Sequence, residues 1–299
     1  LKNIKSHLLV FLATAFIAGS FIASSKVSGI INPISLTLLR FVIAAFALLP
    51  FVLTRKKIGK QIYTSAFRSM VISLFYSGYF ICLFESLKTT TALNTGTLYT
   101  LVPFITATLC IFIFKEYINI NRLITYFVGA AGTIWVIFSG DIDLLLSFTL
   151  NKGDLIFLVG VFSMSAYSIS MKVLYKNDDM IILVFCTLLG GSFWMAIALV
   201  ILKIPLQWNL LHGEAIIYIS YLAVVTTLIT SYLYQKTMVS LGPVRVMAYI
   251  YLNPACVALL LFLFTGESIK MVVVPGIILS TVSMVILQIL INKSKQSPT

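Results

Sequence analysis

The chain has 299 residues, of which 60% are hydrophobic and only 10% charged. A soluble globular domain carries about 25% charge, so this composition excludes a soluble enzyme or binding domain. No long basic polar segment stands behind the formal net charge of +12, which argues against nucleic acid as a partner.

Apolar runs long enough to cross a bilayer, roughly 20 residues each, recur along the whole chain. Ten are read, at 7–25, 33–54, 67–87, 92–114, 122–139, 154–175, 180–202, 214–236, 243–265 and 271–291. They are expected to be helical, because lipid offers no partner to an open backbone N–H or C=O. The runs are too long and too evenly apolar for barrel strands, which alternate with period two. Lys2 and Lys5 ahead of the first run resemble a signal peptide's charged start, but counting that run as a span completes the repeat described below. Fifteen of the 21 Lys and Arg residues fall on one side of the spans and five on the other. This bias predicts a multi-pass protein with both termini in the cytoplasm and the loop 141–153 outside. Cys82, Cys110, Cys186 and Cys256 lie apart within apolar runs, without a C-x-x-C, and read as packing residues.

Taken in chain order, the spans carry a sparse set of polar candidates. Ser20 lies in span 1. Arg40, in span 2, is the one basic residue well inside a span and needs an interior partner. Glu85, near the outer end of span 3, lies at a similar depth, so an Arg40–Glu85 pair is expected, as a gate, a substrate-carboxylate site or a structural clamp. Span 3 also offers Tyr76 and Tyr79. Span 4 carries Pro103 near its middle and span 9 carries Pro254. Each proline removes a backbone hydrogen bond and kinks its helix, and freed backbone at that depth belongs beside a cavity or buried in protein. Ser163 and Tyr167 in span 6, Thr227, Thr230 and Tyr234 in span 8, and Tyr249 and Asn253 in span 9 complete a candidate cavity lining. The competing reading of each hydroxyl is ordinary interhelical hydrogen bonding.

A shift of 151 residues lays span 4 on span 9. Leu101, Pro103, Ala107, Glu116 and Ile118 meet Leu252, Pro254, Ala258, Glu267 and Ile269. The same shift sets Thr125, Gly129 and Gly132 of span 5 on Gly276, Ser280 and Ser283 of span 10. These small residues predict close helix packing and a possible dimer contact through helices 5 and 10. Ser24 and Lys26 of span 1 match Ser170 and Lys172 of span 6 at a shift of 146. The chain therefore divides into repeats at 1–140 and 141–299. Five spans per repeat is an odd number, so the second repeat is inverted, an architecture of secondary transporters.

Several segments resemble the drug/metabolite transporter superfamily, and within it the EamA-type proteins. They are Pro33 with Leu39-Arg40-Phe41, Glu85 to Thr90, Leu101-Val102-Pro103 with Lys115-Glu116, Gly129 to Gly132, Gly153-Asp154-Leu155, Leu252-Asn253-Pro254 and Gly266-Glu267. Span 1 departs from the family's usual aromatic start with Ala18-Gly19-Ser20, and span 7 has no counterpart of Arg40. The resemblance implies an all-α fold of ten helices around a cavity lined by spans 1, 3, 4, 6, 8 and 9. It implies a bacterial inner-membrane protein that moves small metabolites such as amino acids, often by export, with the lipid bilayer as its surroundings and no cofactor. A channel, a flippase and a membrane-embedded enzyme are the alternatives. An enzyme would want grouped acids, histidines or cysteines, and the sequence supplies only Glu85 as an acid within a span.

Overall fold

The computed structural model describes residues 4–27, 29–56, 58–115, 118–266 and 269–294. Among them are ten helices long and apolar enough to cross a membrane: Ile4–Ser24, Pro33–Leu53, Ile58–Ser86, Asn94–Phe114, Ile120–Ile137, Lys152–Leu174, Met180–Ile201, Glu214–Leu241, Pro243–Phe264 and Met271–Asn292. They are spans 1 to 10 below. Their ends follow local chemistry. Asn32 accepts a hydrogen bond from Ile34 N ahead of Pro33, which opens span 2 with its ring at a position that needs no N–H. Asp179 caps span 7 by accepting from Ile181 N. Span 8 turns into span 9 at Gly242, whose φ of 92° lies in the region glycine tolerates, and Pro243 then starts the next helix.

Two boundaries differ from expectation. Span 3 begins at Ile58 rather than near 67. Its first two turns, with Gln61, Thr64 and Ser65, are too polar to register as a span but make helix hydrogen bonds all the same. Span 8 continues to Leu241, where Gly242 breaks the helix; within it Thr237 satisfies its hydroxyl on Leu233 O. The loop after span 5 holds a short helix, Ile142–Leu146, capped by Asp141 through Leu144 N at 2.9 Å.

The repeat is visible in the backbone. Val102–Phe114 and Asn253–Thr265 are helices of 13 residues each, and they coincide under the shift of 151. The helix-ending residues, Lys115 and Gly266, also coincide, and both are left-handed. Glu116 and Glu267, the acidic ends of the repeated pattern, lie outside the described residues.

Packing follows the same pseudo-two-fold. Span 3 packs most extensively on span 6, and span 8, its equivalent, packs on span 1. The contact of span 3 with span 7 is matched by span 8 with span 2, and that of span 4 with span 6 by span 9 with span 1. Spans 5 and 10 pack on each other, as do spans 2 and 7. The two repeats therefore interleave, with most of the large contacts running between them.

The small-residue stripes explain the contact of spans 5 and 10. A Cβ on Gly132 would sit 2.7 Å from Ser280 N, and one on Gly276 would sit 2.6 Å from Gly132 O. Gly129 faces Ser283 and the ring of Tyr251, whose hydroxyl donates to Tyr126 O at 3.0 Å. The stripe expected to give close helix packing, or a dimer contact, packs spans 5 and 10 together within one chain, since small residues let two backbones touch. Phe127 and Ile124 on span 5, with Val282 and Ile289 on span 10, remain exposed and apolar, as a lipid-facing surface should be.

Candidate transport site

The breaks in spans 4 and 9 are the first element of the site. Span 4 interrupts its helix at Thr100 and Leu101, just before Val102-Pro103. Span 9 narrows to a 3₁₀ turn over Tyr249–Leu252, just before Asn253-Pro254. A proline cannot donate to the carbonyl four residues earlier, so Pro103 leaves Tyr99 O and Pro254 leaves Ile250 O without that bond. Tyr99, Ile250, Asn253 and Pro254 all line one cavity of about 510 Å³ between spans 4, 5, 9 and 10. Its wall is mostly apolar, with Ser139 and Lys270 from the ends of spans 5 and 10. The Asn253 Oδ1 is buried and has no hydrogen-bond partner among the described residues. The cavity lies to one side of the expected lining: it shares spans 4 and 9 with it but is completed by spans 5 and 10.

Tyr99 joins this cavity to an aromatic chain through the centre of the molecule. Its ring lies 5.6 Å from that of Tyr79. Phe80 packs edge-on to both Tyr79 and Tyr76, at 5.1 and 5.2 Å. Tyr76 stacks on Tyr167 of span 6 at 4.7 Å and on Phe41 of span 2 at 5.6 Å. Tyr167 is almost fully buried, whereas Tyr76, Tyr79, Tyr99 and Tyr234 keep partial exposure. Tyr76 has neighbours on spans 2, 3 and 6, so its remaining accessible surface faces the interior. Tyr234 reaches Thr14 of span 1 across 3.4 Å. Spans 1, 2, 3, 4, 6 and 8 all contribute to this cluster.

Arg40 enters the cluster from span 2, beside Phe41. The Arg40–Glu85 pair does not form. Arg40 donates from Nε to Thr227 Oγ1 at 3.1 Å and from Nη2 to Thr226 Oγ1 at 3.2 Å. Glu85 pairs instead with Lys88, one turn along, at 2.7 Å. Depth allowed the expected pair, but the rotation of span 2 turns Arg40 toward span 8. There Val224–Ile229 widens into a π-helical turn, a feature frequent at functional sites. Both threonine hydroxyls donate to Leu222 O at 2.8 Å, so they present lone pairs to the guanidinium. Thr230 donates to Thr226 O at 2.6 Å. A charge at this depth costs roughly 2.5–3.5 kcal/mol on insertion scales, and two neutral hydroxyls offset only part of it.

Three other expected lining residues are engaged elsewhere. Ser163 donates to Phe75 O at 2.8 Å and ties span 6 to span 3. Ser20 returns its hydroxyl to Ile17 O at 2.6 Å within its own helix. The Tyr249 hydroxyl bonds to His7 Nδ1 at 2.9 Å near the end of the molecule that carries the N-terminus. At that end Ser240 also donates to Ser6 at 3.0 Å, and Arg68 grips Asp178 through two 2.7 Å contacts. At the opposite end Asp154, wholly buried, accepts from Thr90 Oγ1, from Asn94 Nδ2 at 3.0 Å and from Asn151 N at 2.8 Å. Each end of the molecule thus carries its own set of polar contacts.

Sequence reasoning missed Tyr99, Thr226 and the Asp154 clasp. Tyr99 carried a usable signal, standing four residues before Pro103 where the freed carbonyl must lie. Thr226 adjoins Thr227 and gave no sign of which hydroxyl faces Arg40.

Ten apolar helices in two inverted repeats, kinked at paired prolines around buried polar groups, define a multi-pass membrane protein of the transporter class. The EamA-like transporter family matches residues 4–138 and 151–289, and the chain belongs to that family. It is similar to an uncharacterized transporter of Archaeoglobus fulgidus, at 25% identity over 89% of this chain and 91% of that one. It is also similar to the uncharacterized transporter YyaM of Bacillus subtilis, at 21% identity over 93% and 92% of the two chains. A crystal structure shares the fold across 98% of this chain and 99% of its own, with a TM-score of 0.74 at 19% identity.

Proposed function

We propose that this membrane transporter exports small amphipathic metabolites, the class that contains amino acids, by exposing one central site alternately to the two sides of the membrane. The observation that supports the reading most is the paired helix break. Pro103 and Pro254 stand at equivalent places in inverted repeats, and both breaks adjoin the tyrosine cluster and its side cavity. Hydroxyls, an amide and aromatic faces suit an uncharged or singly charged organic solute better than a bare metal ion, which prefers clustered oxygen or thiolate ligands. The polar contacts at the two ends would then hold each moving body together, His7–Tyr249 tying span 1 to span 9 on one face and the Asp154 cluster tying span 6 to span 4 on the other. The positive-residue bias assigns the first face to the cytoplasm of a bacterial inner membrane. Because the repeats interleave, the moving bodies on this reading are mixed lobes, spans 3, 4 and 6 against spans 1, 8 and 9.

Purified protein in proteoliposomes tests this. Uptake and efflux of a labelled panel of amino acids and related metabolites should be saturable for at least one member. Tyr79→Ala and Asn253→Ala should each reduce that flux roughly tenfold, the loss expected from about 1.4 kcal/mol of solute contacts. Saturable flux that neither change alters would remove the site from the solute's path.

A further inference from the structure

The charge balance around Arg40 carries the proposed function further. Arg40 makes two hydrogen bonds, both to neutral hydroxyls, and no ion pair among the described residues. A guanidinium has five N–H donors in a planar fork that fits a carboxylate with two parallel bonds. The Nη1 hydrogens of Arg40 are unclaimed among the described residues, and the side chain keeps partial accessible surface beside the tyrosines. Thr226 and Thr227 have spent their protons on Leu222 O, so they orient the guanidinium without neutralising it.

The described acids are engaged elsewhere or stand at span ends. Glu85 is held by Lys88, Asp178 by Arg68 and Asp179 by Arg55. Asp154 is saturated by its clasp, and Asp141, Asp143 and Glu214 begin helices. Beside the cationic group lies Tyr76, packed against the buried rings of Phe41 and Tyr167, and Tyr76, Tyr79, Tyr99 and Tyr234 are the tyrosines of the cluster that keep partial exposure. These form a wall for a flat or apolar body.

We propose, resting on the transporter reading above, that the site takes small organic monoanions, with a carboxylate on Arg40 and an apolar or aromatic body against the tyrosines. A zwitterion would satisfy Arg40 equally but would bring an ammonium with no free acid to meet it among the described residues, only aromatic rings. An amine would meet like charge. The carboxylate without an amino group is therefore preferred, then the amino acid, then the amine.

Three probes sharing one aromatic body test the order: 3-phenylpropionate, phenylalanine and phenethylamine, measured as saturable flux into proteoliposomes. The anion should move fastest, and a positive interior potential should accelerate its entry. Arg40→Gln should cut anion flux roughly tenfold or more, since charge-assisted hydrogen bonds are lost, and Arg40→Lys should restore part of it. Binding measured in detergent separates folding from recognition: 3-phenylpropionate should raise the unfolding temperature of the wild type and of Arg40→Lys, but not that of Arg40→Gln. Preference for phenylalanine or phenethylamine, flux of neutral solutes alone, or anion flux and stabilisation equal in Arg40→Gln would each overturn the anion site and leave transport standing. No saturable flux of any solute, with sugars and nucleosides added to the panel, would overturn both readings.

Discussion

Replacing Gly132 by leucine should lower the unfolding temperature of the purified protein sharply, while the same change at Gly59 should leave it nearly unmoved. The difference lies in what the new side chain meets. A Cβ at Gly132 would stand 2.7 Å from Ser280 N and 2.9 Å from Gly276 O. Those are backbone atoms of span 10 and cannot swing aside, so spans 5 and 10 must part. Overpacking of this kind costs about 1–3 kcal/mol for a modest group and more for a bulky one. Alanine at the same place gains about 1 kcal/mol of helix propensity over glycine, but its Cβ meets the same atoms, so it too should destabilise, by less. Nothing lies within 4 Å of a Cβ at Gly59, which makes it the control. Equal midpoints for the two leucine variants would mean that spans 5 and 10 do not approach as described.

The second large effect is expected at Asp154. Its carboxylate is wholly buried and receives three donors, from Thr90, Asn94 and Asn151. It also closes a capping box, since Asp154 N donates to Asn151 Oδ1 at 3.1 Å. Asp154→Ala removes the acceptor from the partly buried Thr90 and Asn151 donors and leaves Asn94 only its 3.4 Å contact with Thr149 O. Bonds to a charged group contribute about 1.5–3 kcal/mol, and an orphaned buried donor costs about 1–3 kcal/mol. A loss of about 3 kcal/mol or more is therefore expected. Asp154→Asn should be far milder. Its oxygen can keep the two bonds that now converge on Oδ2, and the Thr90 hydroxyl can rotate to accept from the new amide. Thermal unfolding of the three proteins in one detergent checks the order. Alanine and asparagine variants of equal stability would show that the clasp does not hold span 6 to the turn before span 4.

Much of this fold was legible in the sequence, for identifiable reasons. The spans announce themselves because lipid demands long apolar runs, and the paired prolines stand in equivalent contexts at one fixed offset. The small residues of spans 5 and 10 were equally plain. What they pack against was not, because a stripe of glycines says that something comes close and not what. The start of span 3 was misplaced because Gln61, Thr64 and Ser65 continue the helix past the apolar stretch.

The site was read less completely. Span depth can be counted from sequence at about 1.5 Å per residue, and by depth Glu85 suited Arg40. Rotation about the helix axis is set by packing, and it sends Arg40 to Thr226 and Thr227. The π-helical turn that brings both hydroxyls to Leu222 O has no signature in the residues Val224 to Ile229. Ser163, Ser20 and Tyr249 show the converse. Their side chains are polar and well placed by span, yet each is committed to a carbonyl or a histidine.

The most direct test of the account is side-specific labelling of one cysteine at the centre. Tyr79→Cys would be placed in a chain whose Cys82, Cys110, Cys186 and Cys256 are replaced by serine or alanine, and reconstituted in vesicles. A membrane-impermeant maleimide would then be offered from one side or the other. Alternating exposure of a central site predicts labelling from both sides, with a transported solute slowing the reaction from each. A cysteine that reacts from neither side, or from one side alone whatever solute is present, would contradict it.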